Sequence, residues 1–262
     1  MKDKIAIILA GIFLIGNSLV AQNYHGDRSN RARNDHAGNQ IRVTYWNHGM
    51  MGSIKGDNSI IYGGEWPINM GYTQMGNASS YVTSEIQVLE SVDPMTGDST
   101  FTYLTPVVFC QGWDPAMFSH DDLGNFLGFE PLPGYHNPDN PDVFHNSAMS
   151  DKPITWPAFW PDKLDDELDP GWRGKWNGYF GKGVFNADQE SYHVLDDYPF
   201  KKKIHGLSLP HPISSDPSRG GLGLKQSIRG LQWANPSAED CIFWIYDIKN
   251  IGELKLTKTI LG

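Results

Sequence analysis

Residues 111–185 constrain the fold more than any other stretch of this chain. They hold five of the nine tryptophans and nine of the seventeen prolines, and no sustained apolar period of 2 or 3.6. Prolines at that density interrupt both helices and ladders. A structureless loop of this length is also uncommon inside a compact domain. The segment is therefore expected to be an ordered insertion packed around its own aromatics, or a platform that carries a site. Glu130-Pro131-Leu132-Pro133-Gly134-Tyr135 and Trp156-Pro157-Ala158-Phe159-Trp160-Pro161 show its character, as does Trp172 to Phe180.

Regular patterning lies on either side. Ile41, Val43 and Tyr45 alternate with Arg42 and Thr44, the period of a half-buried strand, and Asn47-His48-Gly49 ends the run. Gly63-Gly64-Glu65-Trp66-Pro67 marks a turn. Tyr81–Val92 and Thr100–Phe109 predict two strands joined through Asp93 to Asp98. Later come Tyr192–Leu195, Leu222–Trp233, Cys241–Ile248 and Glu253–Leu261. Gly223 and Gly230 in the second of these suggest bulges or close approach. With 28 glycines and 12% aromatic residues, the chain reads as all-β or β-dominated. The expected architecture is a β-sandwich-like core from residues 40–110 and 190–262, with the Trp/Pro-rich segment 111–189 inserted over one face.

The N-terminus reads as an export signal. Lys2 and Lys4 precede an apolar run from Ile5 to Ile15, which is shorter than the ~20 residues of a membrane span. Asn17, Ser18 and then Leu19-Val20-Ala21 follow, with Ala21 a suitable residue ahead of cleavage. Residues 1–21 are thus expected to be a signal peptide and 22–39 a flexible, Gly/Asn/Arg-rich leader. The protein is expected to be secreted or at the cell surface, with no membrane span once the signal is removed. Cleavage takes the net charge from −9 to −10, which argues against nucleic acid as a partner. Export permits a Cys110–Cys241 disulfide, whereas the apolar settings of both residues favour free, buried thiols.

Motifs for phosphate loops, zinc or nucleophilic elbows are not found, and no catalytic residue is assigned. Acidic loops are more suggestive. Asp162, Asp165, Asp166, Glu167 and Asp169 cluster; Asn186, Asp188 and Glu190 alternate, with Asp196 and Asp197 following. Calcium takes six to eight oxygens of this kind, so Asp188, Glu190, Asp196 and Asp197 are the candidate metal ligands. Glu65, Glu130, Asp188 and Glu190 lie near aromatics and are the acids a glycoside hydrolase would draw on. Trp156, Trp160, Trp172, Trp176 and Tyr179 are the candidate ligand-binding rings. Each is also a candidate for core packing, because tryptophan buries a large area.

Several segments together carry a resemblance. They include Trp46-Asn47-His48-Gly49, Gly64-Glu65-Trp66-Pro67-Ile68-Asn69, Asp169-Pro170-Gly171-Trp172, Trp176-Asn177-Gly178-Tyr179-Phe180-Gly181, Asn186 to Tyr192 and Arg229-Gly230-Leu231-Gln232-Trp233. Over residues 40–262 the chain resembles the N-terminal region of large, uncharacterised exported bacterial proteins. Those proteins often continue into β-sandwich modules and a C-terminal type IX secretion sorting domain. The resemblance transfers no activity. It implies that the chain is truncated ahead of such a domain at Gly262, and that its partners are downstream modules of the same polypeptide or cell-surface components. The function expected is a secreted or surface-displayed structural or binding module of a larger protein. The alternative is a carbohydrate-active module, binding or hydrolytic, with polysaccharide as partner.

Overall fold

The structure is a computed structural model describing residues 24–52, 61–110 and 127–262. The signal-peptide reading of residues 1–21 falls outside the described residues, as do residues 53–60 and 111–126.

Seven described strands precede the tryptophan-rich segment: β1 (Arg33–His36), β2 (Val43–Trp46), β3 (Met50–Gly52), β4 (Asn77–Ser79), β5 (Tyr81–Val92), β6 (Ser99–Leu104) and β7 (Val107–Phe109). Among the described residues of that segment the strands are two residues long: β8 (Glu130–Pro131), β9 (Asn177–Gly178) and β10 (Gly181–Lys182). After it come β11 (Gln189–Asp196), β12 (Lys203–Ile204), β13 (Leu207–Ser208), β14 (Leu224–Gln232), β15 (Phe243–Asn250) and β16 (Thr257–Leu261). The fold is β-dominated, as expected.

Three four-stranded antiparallel sheets organise it. The central sheet runs β15-β14-β11-β8. A second runs β16-β5-β6, with β7 also on β5. The third is β1-β2-β3-β4. In the central sheet the alternation of β14 separates two faces. Leu224, Gln226, Ile228 and Gly230 are buried, while Lys225, Ser227 and Arg229 are half-buried on the other side. The inward residues meet Val82, Ile86 and Val88 of β5, Val108 of β7 and Cys110. Phe129, Leu195, Phe200, Leu209 and Leu222 complete this core. Burying each large aliphatic side chain contributes about 1.5–3 kcal/mol, so this layer supplies most of the drive to form the sandwich.

Gly230 shows how tightly the third sheet joins the central one. A Cβ there would lie 2.6 Å from His36 Nε2, 2.8 Å from Trp244 Cζ3 and 2.9 Å from Ser191 Oγ. Close approach is the reason for this glycine. Gly230→Ala is expected to lower stability by about 1–3 kcal/mol through overpacking. A urea melt checks this, and an unchanged midpoint would mean that β1 stands off the central sheet.

Two expectations need correction. The leader is not loose over its described part, residues 24–39. Asn34 and His36 of β1 are fully buried, Arg31 pairs with Glu130, and the Asn34 side chain donates to Ser147 O at 2.8 Å. Polar composition concealed a buried strand, in which His36 Nε2 also bonds Ser191 Oγ. The second expectation concerns Cys241; both cysteines are free thiols. Cys110 is buried beside Ser80 Oγ at 3.3 Å, and burial pushes its thiol up to about 12. Cys241 is exposed just before β15, not buried as its apolar neighbours suggested.

Candidate functional site

The described part of the tryptophan-rich segment forms a cap on the second face of the central sheet. Its core is Leu132, Tyr135, Ala148, Trp160 and Trp176, packed on Tyr192 and Val194 of β11. With so few ladder bonds of its own, the cap is held by indole donors. Trp156 Nε1 donates to Met149 O at 2.7 Å, Trp160 Nε1 to Lys175 O at 2.8 Å and Trp176 Nε1 to Glu190 Oε2 at 3.0 Å. A buried indole N–H requires a partner; the first two of these bonds tie parts of the cap together, and the third ties the cap to β11.

Glu190 and Arg229 anchor the cap to the sheet. The Glu190 carboxylate also accepts from Tyr179 N at 2.9 Å and Arg229 Nη1 at 2.6 Å. Arg229 Nη1 donates in addition to Asn177 O at 2.7 Å, and its guanidinium lies 3.8 Å above the Tyr192 ring. Asp162 from the cap accepts from Asn177 Nδ2 and from the Tyr192 hydroxyl, each at 3.1 Å. Burial pushes the Tyr192 phenol above its usual range, and the nearby Asp162 charge adds to this. The hydroxyl is therefore a donor at every physiological pH.

The cap covers β11 and meets β14 at Arg229, while Lys225 and Ser227 of β14 and Ile245, Asp247 and Lys249 of β15 line an open floor. The uncovered floor is set by cross-strand pairing. Val194, Ser227 and Asp247 form one row, Tyr192, Arg229 and Ile245 a second, and Lys225 lies opposite Lys249 in a third. A cavity of about 450 Å³ opens above this floor, walled by Tyr135, Asp162, Lys163 and Tyr179 of the cap. Tyr179 presents an exposed ring to it while Glu190 fixes its backbone.

The ring residues expected to bind ligand divide. Trp160 and Trp176 are buried to within 1% of complete and have no face to offer. Trp156 is half-buried against Trp176, with centroids 5.7 Å apart. Trp172 is half-buried in the left-handed region (φ 45°), and its Nε1 donates to Asp166 at 2.7 Å. Of the five, only Tyr179 lines this cavity. Side-chain hydrogen bonds from Lys182 and Trp172 hold Asp166 down to about 2.

The four acids expected to bind metal are not brought together as ligands. Asp188 accepts from Ala234 N at 2.6 Å, and Glu190 is saturated as described. Asp196 accepts from Gly26 N and Tyr198 N and pairs with Arg219. Asp197 accepts from Arg219 and from Leu222 N and Leu224 N. Among the described residues, no group of three or more metal-ligating side chains is placed to hold an ion. N–H donors already engage oxygens of each of these acids, the groups calcium would take as ligands. Glu65 and Glu130 are likewise paired, with Arg42 and Arg31.

Sequence reasoning missed Lys225, Ser227, Arg229, Asp247 and Lys249. The alternation of Leu222–Trp233 sets Lys225, Gln226 and Arg229 against the apolar positions; the structure keeps Lys225 and Arg229 on the face away from the core, buries Gln226 and puts Ser227 in its place. Their convergence with β15 needed the register. No family model, curated protein or solved structure matches the chain.

Proposed function

We propose that this chain is an exported, non-catalytic module that binds glycan in the cavity between the cap and the β14–β15 floor. The observation that carries the reading is the cavity itself. It combines ring faces with a few polar groups held in place, which is how sites for small polar ligands are built. Tyr179 supplies the exposed ring. Asp162, Ser227 and Asp247 supply hydrogen-bonding groups for hydroxyls. The cap that forms the walls is braced by buried tryptophans, so the cavity needs little reorganisation to receive a ligand.

Binding is favoured over hydrolysis because none of Glu65, Glu130, Asp188 and Glu190 lines the cavity, and the two acids that do are engaged: Asp162 accepts from the Tyr192 hydroxyl and pairs with Lys163, and Asp247 pairs with Lys249. A glycosidase needs two carboxyl groups within ~5–9.5 Å. Glu190 and Glu130 are separated by the length of β11, since Glu130 pairs with Asp196. At ~3.3 Å per residue that is about 20 Å. Both are also locked to arginines. The export reading rests on the N-terminal pattern, and the place of the module within a longer surface protein on the sequence resemblance.

Affinity electrophoresis through gels holding neutral or acidic polysaccharides tests this. At least one is expected to retard the protein, and Tyr179→Ala to weaken retention about tenfold, the loss of one ring contact, with its melt unchanged. Retention by no polysaccharide would remove the reading. Retention unaffected by Tyr179→Ala would move the site elsewhere.

A further inference from the structure

Resting on that reading, we infer that the glycan is anionic, and that Lys225 and Lys249 form the subsite for its carboxylate or sulfate group. These two lysines are direct cross-strand partners in the β14–β15 ladder, and both line the cavity. Like charges directly opposite on adjacent strands are destabilising, so the free protein gains nothing from this pair. The cations of the cavity are otherwise matched. Lys163 lies 3.3 Å from Asp162, Arg229 2.6 Å from Glu190 and Lys249 3.4 Å from Asp247. Lys225 has no ion-pair partner among the described residues, although its neighbour across β11 is Asp196. Arg219 and two backbone amides already occupy that carboxylate.

The chain as a whole is acidic, at −9. An unmatched lysine beside a second lysine, on the floor of a cavity, therefore concentrates positive potential where the rest of the surface repels anions. Low-dielectric walls focus such a field. A planar carboxylate or a sulfate between the two ammonium groups would accept a charge-assisted hydrogen bond from each. Tyr179 and the Ser227 hydroxyl would then face the attached sugar ring. Neutral glycans would leave Lys225 uncompensated, which is the basis of discrimination.

The test compares polygalacturonate with its methyl ester, and dextran sulfate with dextran, as gel-immobilised probes. Wild-type protein is expected to be retarded by at least one acidic member and at least tenfold less by its neutral counterpart. A carboxylated ligand gives the difference in the first pair, a sulfated ligand in the second. Lys225→Gln and Lys249→Gln are each expected to weaken acidic binding about tenfold or more. Each should leave the melting temperature unchanged or raised, because the repulsion is relieved. A lysine with only a structural role would lower it. Equal retention by acidic and neutral members would overturn the inference and leave glycan binding standing, as would full retention by both variants. Retention by none of the four, nor by the wider panel, would remove the glycan reading itself.

Discussion

Replacing Arg219 by methionine is expected to lower stability by about 3–5 kcal/mol, the usual cost of leaving a buried ion pair with one partner. Arg219 is 4% exposed and sits between two buried acids, 3.2 Å from Asp196 and 2.9 Å from Asp197. Asp197 also accepts from Leu222 N at 2.6 Å and Leu224 N at 2.9 Å, which fixes the turn that launches β14. Burial pushes the Asp197 carboxyl up to about 6, while Arg219 and these amides oppose the rise. Without the guanidinium the opposition weakens and the carboxyl rises further. A group whose folded pKa exceeds its unfolded value near 3.9 favours the fold at low pH and loses that contribution as pH rises. The difference between wild type and Arg219→Met should therefore be larger at pH 8 than at pH 5. Urea melts of both proteins at the two values measure it. A difference under 1 kcal/mol, or one independent of pH, would show that water reaches the pair and screens it.

This triad illustrates what the sequence could and could not disclose. Asp196 and Asp197 stood out as acids after a strand, and calcium was a reasonable partner for them. The partner is instead Arg219, more than twenty positions along, in a stretch without a periodic pattern. Nothing local connects the two, because the contact is made by the crossover from β11 to β14. The strands themselves were legible wherever burial alternates. Tyr81–Val92 is found with its predicted bounds, and Leu224–Gln232 within two residues of them. β11 was legible only as Tyr192–Leu195. It is buried on both faces yet includes Gln189, Glu190, Ser191 and Asp196, and a pattern reader takes such residues for solvent-facing. The same confusion hid β1.

The cap was legible as a unit and illegible in detail. Proline and tryptophan density marked a packed insertion over one face, and the described part is one. Which rings are core and which are free depends on where each indole N–H finds an acceptor. Trp160 reaches Lys175 O, Trp176 reaches Glu190, and Tyr179 is left facing the cavity. Burial of this kind follows from tertiary partners, to which neither residue type nor spacing is a guide.

The other large effect is expected from acid. Three histidines are buried where the third and central sheets meet: His36 on β1, His48 after β2 and His193 on β11, none more than 2% exposed. Tyr45 stacks on His193 with centroids 5.8 Å apart, and His36 Nε2 bonds Ser191 Oγ at 2.9 Å. Among the described residues both ring nitrogens of His193 lack a partner, as do Nδ1 of His36 and of His48. Burial drives all three below the usual 6.5, His36 and His193 to about 3. Surrounding charges act in the same direction: Lys152 on His36, Arg31, Arg28 and His193 on His48, and His36 and Arg229 on His193. A depressed folded pKa means that stability is present above 6.5 and lost as pH falls toward 3. The raised carboxyls of Asp197 and Glu130 run the other way. The net uptake on unfolding is then between about one and two protons, or about 1.4–2.7 kcal/mol per pH unit between pH 6 and 4.5. Against a typical total of 5–15 kcal/mol, the melting temperature should fall steeply over that range, before the carboxylates with lowered pKa values begin to contribute. His193→Phe keeps a ring for Tyr45 and removes no hydrogen bond, so it should reduce the slope by about one proton, roughly 1.4 kcal/mol per pH unit. Thermal melts in steps from pH 7 to 4.5 give both slopes. A flat wild-type profile, or parallel profiles for the two proteins, would mean that these histidines take up protons within the fold.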